Sequence, residues 1–203
     1  MNLKERVDEL RRDLLNENAP QISTMGNFPF AILQYEPEDE FLMRELIHEL
    51  VDELHQNGWL VKNVPLIDLM LQRLQTEAEP DTLQEIINGE KRLFQRKGIQ
   101  RSLHYLKQTM SPDLEGPDGL AADVIQEIQS LVGEQDPVQT LIFISRAGAL
   151  YPFYRTSGLL RYLDGKTDRV PVILLYPGTR PGVTSLSFMG EYEADSVYRP
   201  RIY

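Results

Sequence analysis

The apolar positions change period several times along the chain, and each change marks an element. In residues 2–16, Leu3, Val7, Leu10 and Leu14 recur at spacings of 4, 3 and 4, a narrow helical seam suited to helix packing. Phe28 to Tyr35 is a short apolar run with Pro29 near its start, where a strand tolerates proline, and it predicts the first core strand. Glu36-Pro37-Glu38-Asp39-Glu40 then opens a helix, because proline suits a first turn and carboxylates complement the helix dipole there. Met43, Leu46, Ile47, Leu50, Val51 and Leu54 continue at helical spacing until Asn57-Gly58 ends the pattern. Trp59 to Val64 predicts a second strand, and Leu66 to Leu74 turns helical again.

Further on, residues 80–111 read as helical with interruptions at Gly89 and Gly98, and Ser111 to Gly119 reads as a loop. A helix from about Leu120 to Val132 carries Val124, Ile128, Leu131 and Val132 on one face. The runs 138–145 and 170–176 are apolar enough for buried strands, with a helix around 153–163 between them and a last strand at Ser185–Met189. Strands alternating with helices predict an α/β fold. The expected architecture has three layers: a mostly parallel sheet of about five strands flanked by helices, P-loop-like or Rossmann-like but without a Walker A motif. Residues 1–203 are expected to form one domain, with 1–20 as an N-terminal amphipathic helix and 80–118 as a helical insertion and loop.

Composition narrows the classes. The chain has 203 residues and no cysteine, which removes disulfides and thiolate metal sites. No apolar run approaches the roughly 20 residues of a membrane span, and the first residues form an amphipathic pattern, not a leader's apolar core. A cytoplasmic protein is expected. The net charge of −10 opposes independent DNA binding, which requires basic surface. The charge is uneven: residues 91–111 hold six Lys/Arg and no acid, whereas residues 1–90 hold 19 acids and seven bases. Such asymmetry suits docking to other proteins, or contact between the two regions themselves.

Parallel sheets present their ligands at the carboxyl ends of the strands, where Arg146, Arg155, Tyr176 and Gly178 would gather. A phosphate-binding loop after the first strand would supply backbone N–H groups and a lysine. The segment 36–40 instead supplies four carboxylates and a proline, and no G-x-G-x-x-G is present. The same carboxylates could in principle hold Mg²⁺, or merely satisfy a helix start. His48 and His55 lie two turns apart, too far to chelate one ion without other help, and His104 lies in the basic segment. Ser145 has no adjacent base and no G-x-S-x-G elbow surrounds it. No catalytic residue, cofactor or metal ligand is assigned.

Interaction features remain. Arg146 and Arg155 could grip a carboxylate or phosphate, or pair with the acidic 36–40 segment. Tyr198, Arg199 and Arg201 belong to types favoured at interfaces, although tyrosines near the end of the chain could equally cover a sheet edge. The seam Leu3, Val7, Leu10 and Leu14 either lies on its own domain or docks a partner helix. In the docking case, Asp at Val7 and Leu10 would weaken association and leave the core folded.

Three blocks carry a family resemblance. They are Phe28-Pro-Phe-Ala-Ile with Tyr35-x-Pro37-x-Asp39-Glu40-Phe41 and Arg44-Glu45; Arg146-Ala-Gly148 with Leu150-Tyr-Pro152-Phe and Arg155; and Tyr176-Pro-Gly178 with Leu186-Ser-Phe188-x-Gly190 and Tyr198-Arg199. In this order they resemble the BrxB family, a small component of bacterial BREX phage-exclusion systems. The resemblance implies a non-enzymatic subunit encoded beside an alkaline-phosphatase-superfamily protein (PglZ), a large ATPase (BrxC) and a DNA methyltransferase. It implies an adaptor that binds other BREX proteins, PglZ first and BrxC second, without cofactor or membrane and with DNA met only through the complex. The alternative is a degenerate nucleotide- or metal-binding enzyme or sensor using the C-terminal edge of the sheet. Residues 66–135 carry none of the three blocks.

Overall fold

The computed structural model describes residues 1–16, 22, 29–77, 80–132, 139–163, 165–182, 185–191 and 200–203. Its elements in chain order are α1 (Leu3–Leu14), β1 (Phe30–Tyr35), α2 (Glu40–Gln56), β2 (Leu60–Pro65), α3 (Leu66–Glu77), α4 (Pro80–Lys97), α5 (Ile99–Glu115), α6 (Leu120–Val132), β3 (Thr140–Ser145), α7 (Thr156–Leu163), β4 (Val172–Thr179), β5 (Ser187–Phe188) and β6 (Arg201–Ile202). The parallel order is β2-β3-β4-β1-β6, and β5 adds to β4 in antiparallel sense. The connection from β1 to β2 therefore passes over β4 and β3, and β1 sits between strands that come much later in the chain.

The period-2 alternation of the strands divides the core into two faces. Ala31, Leu33, Tyr35, Leu141, Phe143, Ile173 and Leu175 turn toward α1 and α2. Phe30, Ile32, Ile142, Ile144, Val172, Leu174 and Tyr176 turn toward α3, α6 and α7. Both faces are covered, which is why β1, β3 and β4 read as continuous apolar runs. The three-layer α/β expectation is observed.

The N-terminal helix begins with a capping box: Asn2 Oδ1 accepts from the Glu5 N–H, and Glu5 accepts from the Asn2 N–H. Its seam takes the first of the two readings, packing on its own domain, and corrects the docking one. Leu3, Val7, Leu10 and Leu14 are buried in the chain's own core against β1 and α2, with Leu10 fully inaccessible. They are not an open docking seam. Burial of each such side chain contributes roughly 1.5–3 kcal/mol, and a helix held by four of them belongs to the body.

Two further expectations change. The segment 185–189 supplies only the two-residue β5, whereas the outer parallel strand is β6, formed by Arg201 and Ile202. And α5 runs through Ser111-Pro112 to Glu115, where the sequence suggested a loop. The body holds this last turn: Ser111 Oγ donates to the Phe153 carbonyl at 2.5 Å, and Leu114 is buried. Gly89 leaves α4 unbroken, while Gly98, at φ 77°, separates α4 from α5. The two helices form a hairpin arm whose root is pinned by Arg73, which makes a bidentate pair with Asp123 at 2.8 and 3.0 Å and donates to the Asp118 and Gly119 carbonyls.

Candidate functional site

Tyr35 stands in register with Pro177, and Pro65 with Ser145, so the carboxyl ends of β1, β4, β2 and β3 share one edge. At the first of these ends the turn Pro37–Asp39 leads directly into α2. Glu40, at the start of α2, accepts a hydrogen bond from the Tyr35 hydroxyl on one oxygen and from Arg44 at 2.6 and 2.9 Å on the other. Burial, and then this bond to the Glu40 carboxylate, hold the Tyr35 phenol neutral well above its ordinary range. Both oxygens of Glu40 are thus engaged where a phosphate loop would offer N–H donors.

Gln34 completes that corner. A buried amide in an otherwise apolar strand must find partners, and its Nε2 donates to the Gly178 carbonyl and to Glu36. Arg6, from α1, donates to both the backbone and side-chain oxygens of Gln34. The sequence reading missed Arg6, Gln34, Tyr35 and Phe41 as site residues. The available signal was the lone polar Gln34 inside an apolar strand.

At the end of β3, Arg146 adopts a left-handed conformation, φ 61° and ψ 25°, that non-glycine residues visit rarely. The following Gly148 allows close approach: a Cβ there would lie 3.1 Å from Pro177 Cγ and 3.2 Å from Met189 Sδ. Arg146 is exposed and forms no ion pair among the described residues; the expected pairing with the acidic turn is absent. Arg146, Arg44 and Glu40 form a ridge shared by two cavities. One, of about 230 Å³, lies over the ends of β1 and β4 and is lined by Pro37, Gly148, Pro177 and Met189. The other, of about 400 Å³, lies between α2 and the ends of β2 and β3, with Met43, Ile47, Phe143 and Leu175 as its apolar lining and Asn63 and Asp68 among its polar groups. Ser145 lines this larger cleft, is 7% exposed, and its hydroxyl has no hydrogen-bond partner among the described residues.

Beside the ridge, Phe41 is 79% exposed, with the Arg44 guanidinium 5.6 Å from its ring centroid. Phenylalanine and arginine are both enriched at protein interfaces.

The other anticipated residues fall elsewhere. Tyr176 packs edge-on against Phe188 inside the core. Arg155 opens α7, its backbone N–H donating to Glu115 Oε1 at 2.9 Å, and it lines neither cavity of the ridge. Arg201 is paired internally, at 2.7 Å to Glu9 and 2.8 Å to Asp13 of α1, and stacks on Tyr203. This corrects its expected place on an open partner surface. Tyr198 and Arg199 lie outside the described residues. Among the described residues no group of three or more His, Asp or Glu side chains is placed to hold a metal ion.

The family profile described as "BREX protein BrxB" matches residues 62–202, more than two thirds of the chain. The chain belongs to the BrxB family. A protein of Bacillus cereus (strain H3081.97), also described as "BREX protein BrxB", is 28% identical over 203 residues, covering 97% of this chain and 95% of its own length. No solved structure matches the chain. The BrxB profile runs through β2, the arm, Arg146 and the cleft wall formed by β2 and β3, so the region 66–135 that lacked a recognisable block lies within the family match. The protein is therefore a BrxB member of a BREX phage-defence system.

Proposed function

We propose that this BrxB protein is a non-catalytic adaptor that holds another BREX component at the C-terminal edge of its sheet. The observation that carries this reading is Phe41, standing in solvent beside Arg44 on the ridge shared by two cavities. An exposed phenylalanine with a guanidinium over its ring, next to two apolar-lined cavities, joins the residue types enriched at protein interfaces and suits a partner's pocket. Arg146, which forms no ion pair among the described residues, adds a cation beside the apolar cleft. Glu40, by contrast, is held by Tyr35 and Arg44 in a way that suits positioning more than proton transfer.

PglZ is the first partner to test and BrxC the second, with DNA reached only through the complex. The tagged protein would be recovered from cells carrying the whole system, and the co-purifying BREX components identified. Phe41→Ala with Arg44→Glu should reduce their recovery while the melting curve stays cooperative. Recovery of a lone monomer from the wild type under mild salt would end the adaptor reading.

Ser145 favours a second reading, a small ligand in the cleft, since its buried hydroxyl awaits a partner. Calorimetric titration with ATP, ADP, S-adenosylmethionine and Mg²⁺ separates the two: micromolar binding that Ser145→Ala abolishes would promote the sensor.

A further inference from the structure

The hairpin arm concentrates what the rest of the molecule hides. Of ten large apolar side chains exposed among the described residues, five stand on it: Ile87, Phe94, Ile99, Leu103 and Tyr105. Cations are interspersed with them at helical spacing, as in Ile87-Lys91-Phe94 along α4 and Ile99-Leu103-Lys107 along α5. Lys91, Arg92, Arg96, Lys97 and Arg101 are all exposed, and none forms an ion pair among the described residues. With the +6 of residues 91–111 set apart, the remaining chain carries −16. This basic, apolar surface runs from the middle of the arm to its tip at Gly98, and the root of the arm is fixed by Arg73, Ser111, Leu114 and Glu115.

We infer that the arm is a docking surface for an acidic, partly apolar protein surface on another subunit of the defence complex. The inference rests on the adaptor reading and gives that adaptor a second point of attachment, on α4 and α5, separate from the Phe41 ridge. Charge complementarity selects the partner's sign. The aliphatic side chains select protein over nucleic acid: phosphates would satisfy the arginines but leave Ile87, Ile99 and Leu103 in water, whereas a protein partner covers both. The strongly acidic remainder of the chain opposes a polyanion but not a protein with a localised acidic patch. The pinned root lowers the ordering cost of association.

The test uses the full chain, tagged, in cells carrying the complete BREX locus, lysed in parallel with and without nuclease. Three proteins are compared: wild type, Arg92→Glu/Arg96→Glu/Arg101→Glu, and Phe94→Ser/Ile99→Ser. All five positions are exposed, so thermal melts should stay within a few degrees of wild type. The expected result is recovery of a BREX component with the wild type that falls at least tenfold in both variants, and in the wild type when salt is raised to about 0.5 M. Unchanged recovery by both variants would overturn the arm and leave the adaptor standing. Recovery that depends on nucleic acid and disappears with nuclease, or an arm-dependent oligomer of this chain alone in sedimentation, would also overturn it. If the wild type captures no BREX component, the adaptor reading and the arm fall together.

Discussion

Arg201 on the outer strand reaches Glu9 of the first helix at 2.7 Å, so the two ends of the described chain are fastened to each other. Asp13 joins the same cluster, accepting from the Tyr203 hydroxyl at 2.8 Å. The ionic part is partly solvated and contributes little, about 0–1 kcal/mol for each pair. The buried ring of Tyr203 contributes more. Arg201→Ala should therefore lower the unfolding free energy by about 1 kcal/mol, and Tyr203→Ala by about 3–5 kcal/mol, on the scale of aromatic truncations. Urea denaturation reads both, and equal losses would contradict this division.

Leu10 supplies a second test, because it decides what α1 is. Leu10→Ala should cost about 2–5 kcal/mol. Val7→Asp with Leu10→Asp should abolish cooperative unfolding, since two carboxylates would be buried without partners. Had the seam been an open surface, the double variant would melt like wild type and lose only association.

Alkaline pH should destabilise the protein through Tyr35, Tyr154 and Tyr203. Burial raises all three phenols, reinforced by the hydrogen bonds to Glu40 and Asp13 and, at Tyr154, by the charges of Glu115 and Asp123. The unfolded chain releases these protons near 10.0 while the folded chain keeps them. Their contribution is thus intact below that pH and shrinks as pH rises above it, by up to roughly 1.4 kcal/mol per pH unit for each tyrosine. Melting temperatures measured from pH 8 to 11 should show a plateau and then a fall, and Tyr35→Phe should make the fall shallower.

Ser145→Ala should raise stability, by about 1 kcal/mol, because it removes a buried hydroxyl that no described residue satisfies. A loss of similar size would instead identify a structural hydrogen bond.

Gly178 should tolerate no side chain. A Cβ there would lie 2.2 Å from the Ser187 carbonyl oxygen and 2.8 Å from the Tyr176 ring, so Gly178→Ala should cost about 1–3 kcal/mol by prising β5 from β4. Chemical denaturation measures it.

The covered strands were legible because burial on both faces writes a continuous apolar run, as in Thr140–Ser145 and Val172–Tyr176. Helix α2 was legible from Met43, Ile47, Leu50 and Leu54. What escaped depends on contacts distant in sequence. The strand β6 has two residues, one of them arginine, and only pairing of Ala31 and Ile32 with Arg201 and Ile202 makes it a strand. The first helix showed its period but not its neighbour, so core and docking surface looked alike. Pro112 reads as a breaker until Ser111 and Leu114 are seen tied to the body. At the candidate site, the αL backbone of Arg146 and the exposure of Phe41 are three-dimensional properties with no signature in residue type. Tyr35 and Glu40 lie only five positions apart in the sequence, but their bond needed the turn at Pro37.

The placement of β1 between β4 and β6 has a kinetic consequence. Phe30 and Val172 are in register across 142 positions, so the β1–β4 pairing cannot form until most of the chain has been gathered, whereas β3 and β4 pair across only 30. Helical turns and the α4–α5 hairpin form from local contacts, whereas this central pairing must first overcome a large loop-closure entropy. In the interval the apolar side chains of β1 lack their cover, which makes slow refolding and a dependence on chaperones at high concentration the natural behaviour of this topology.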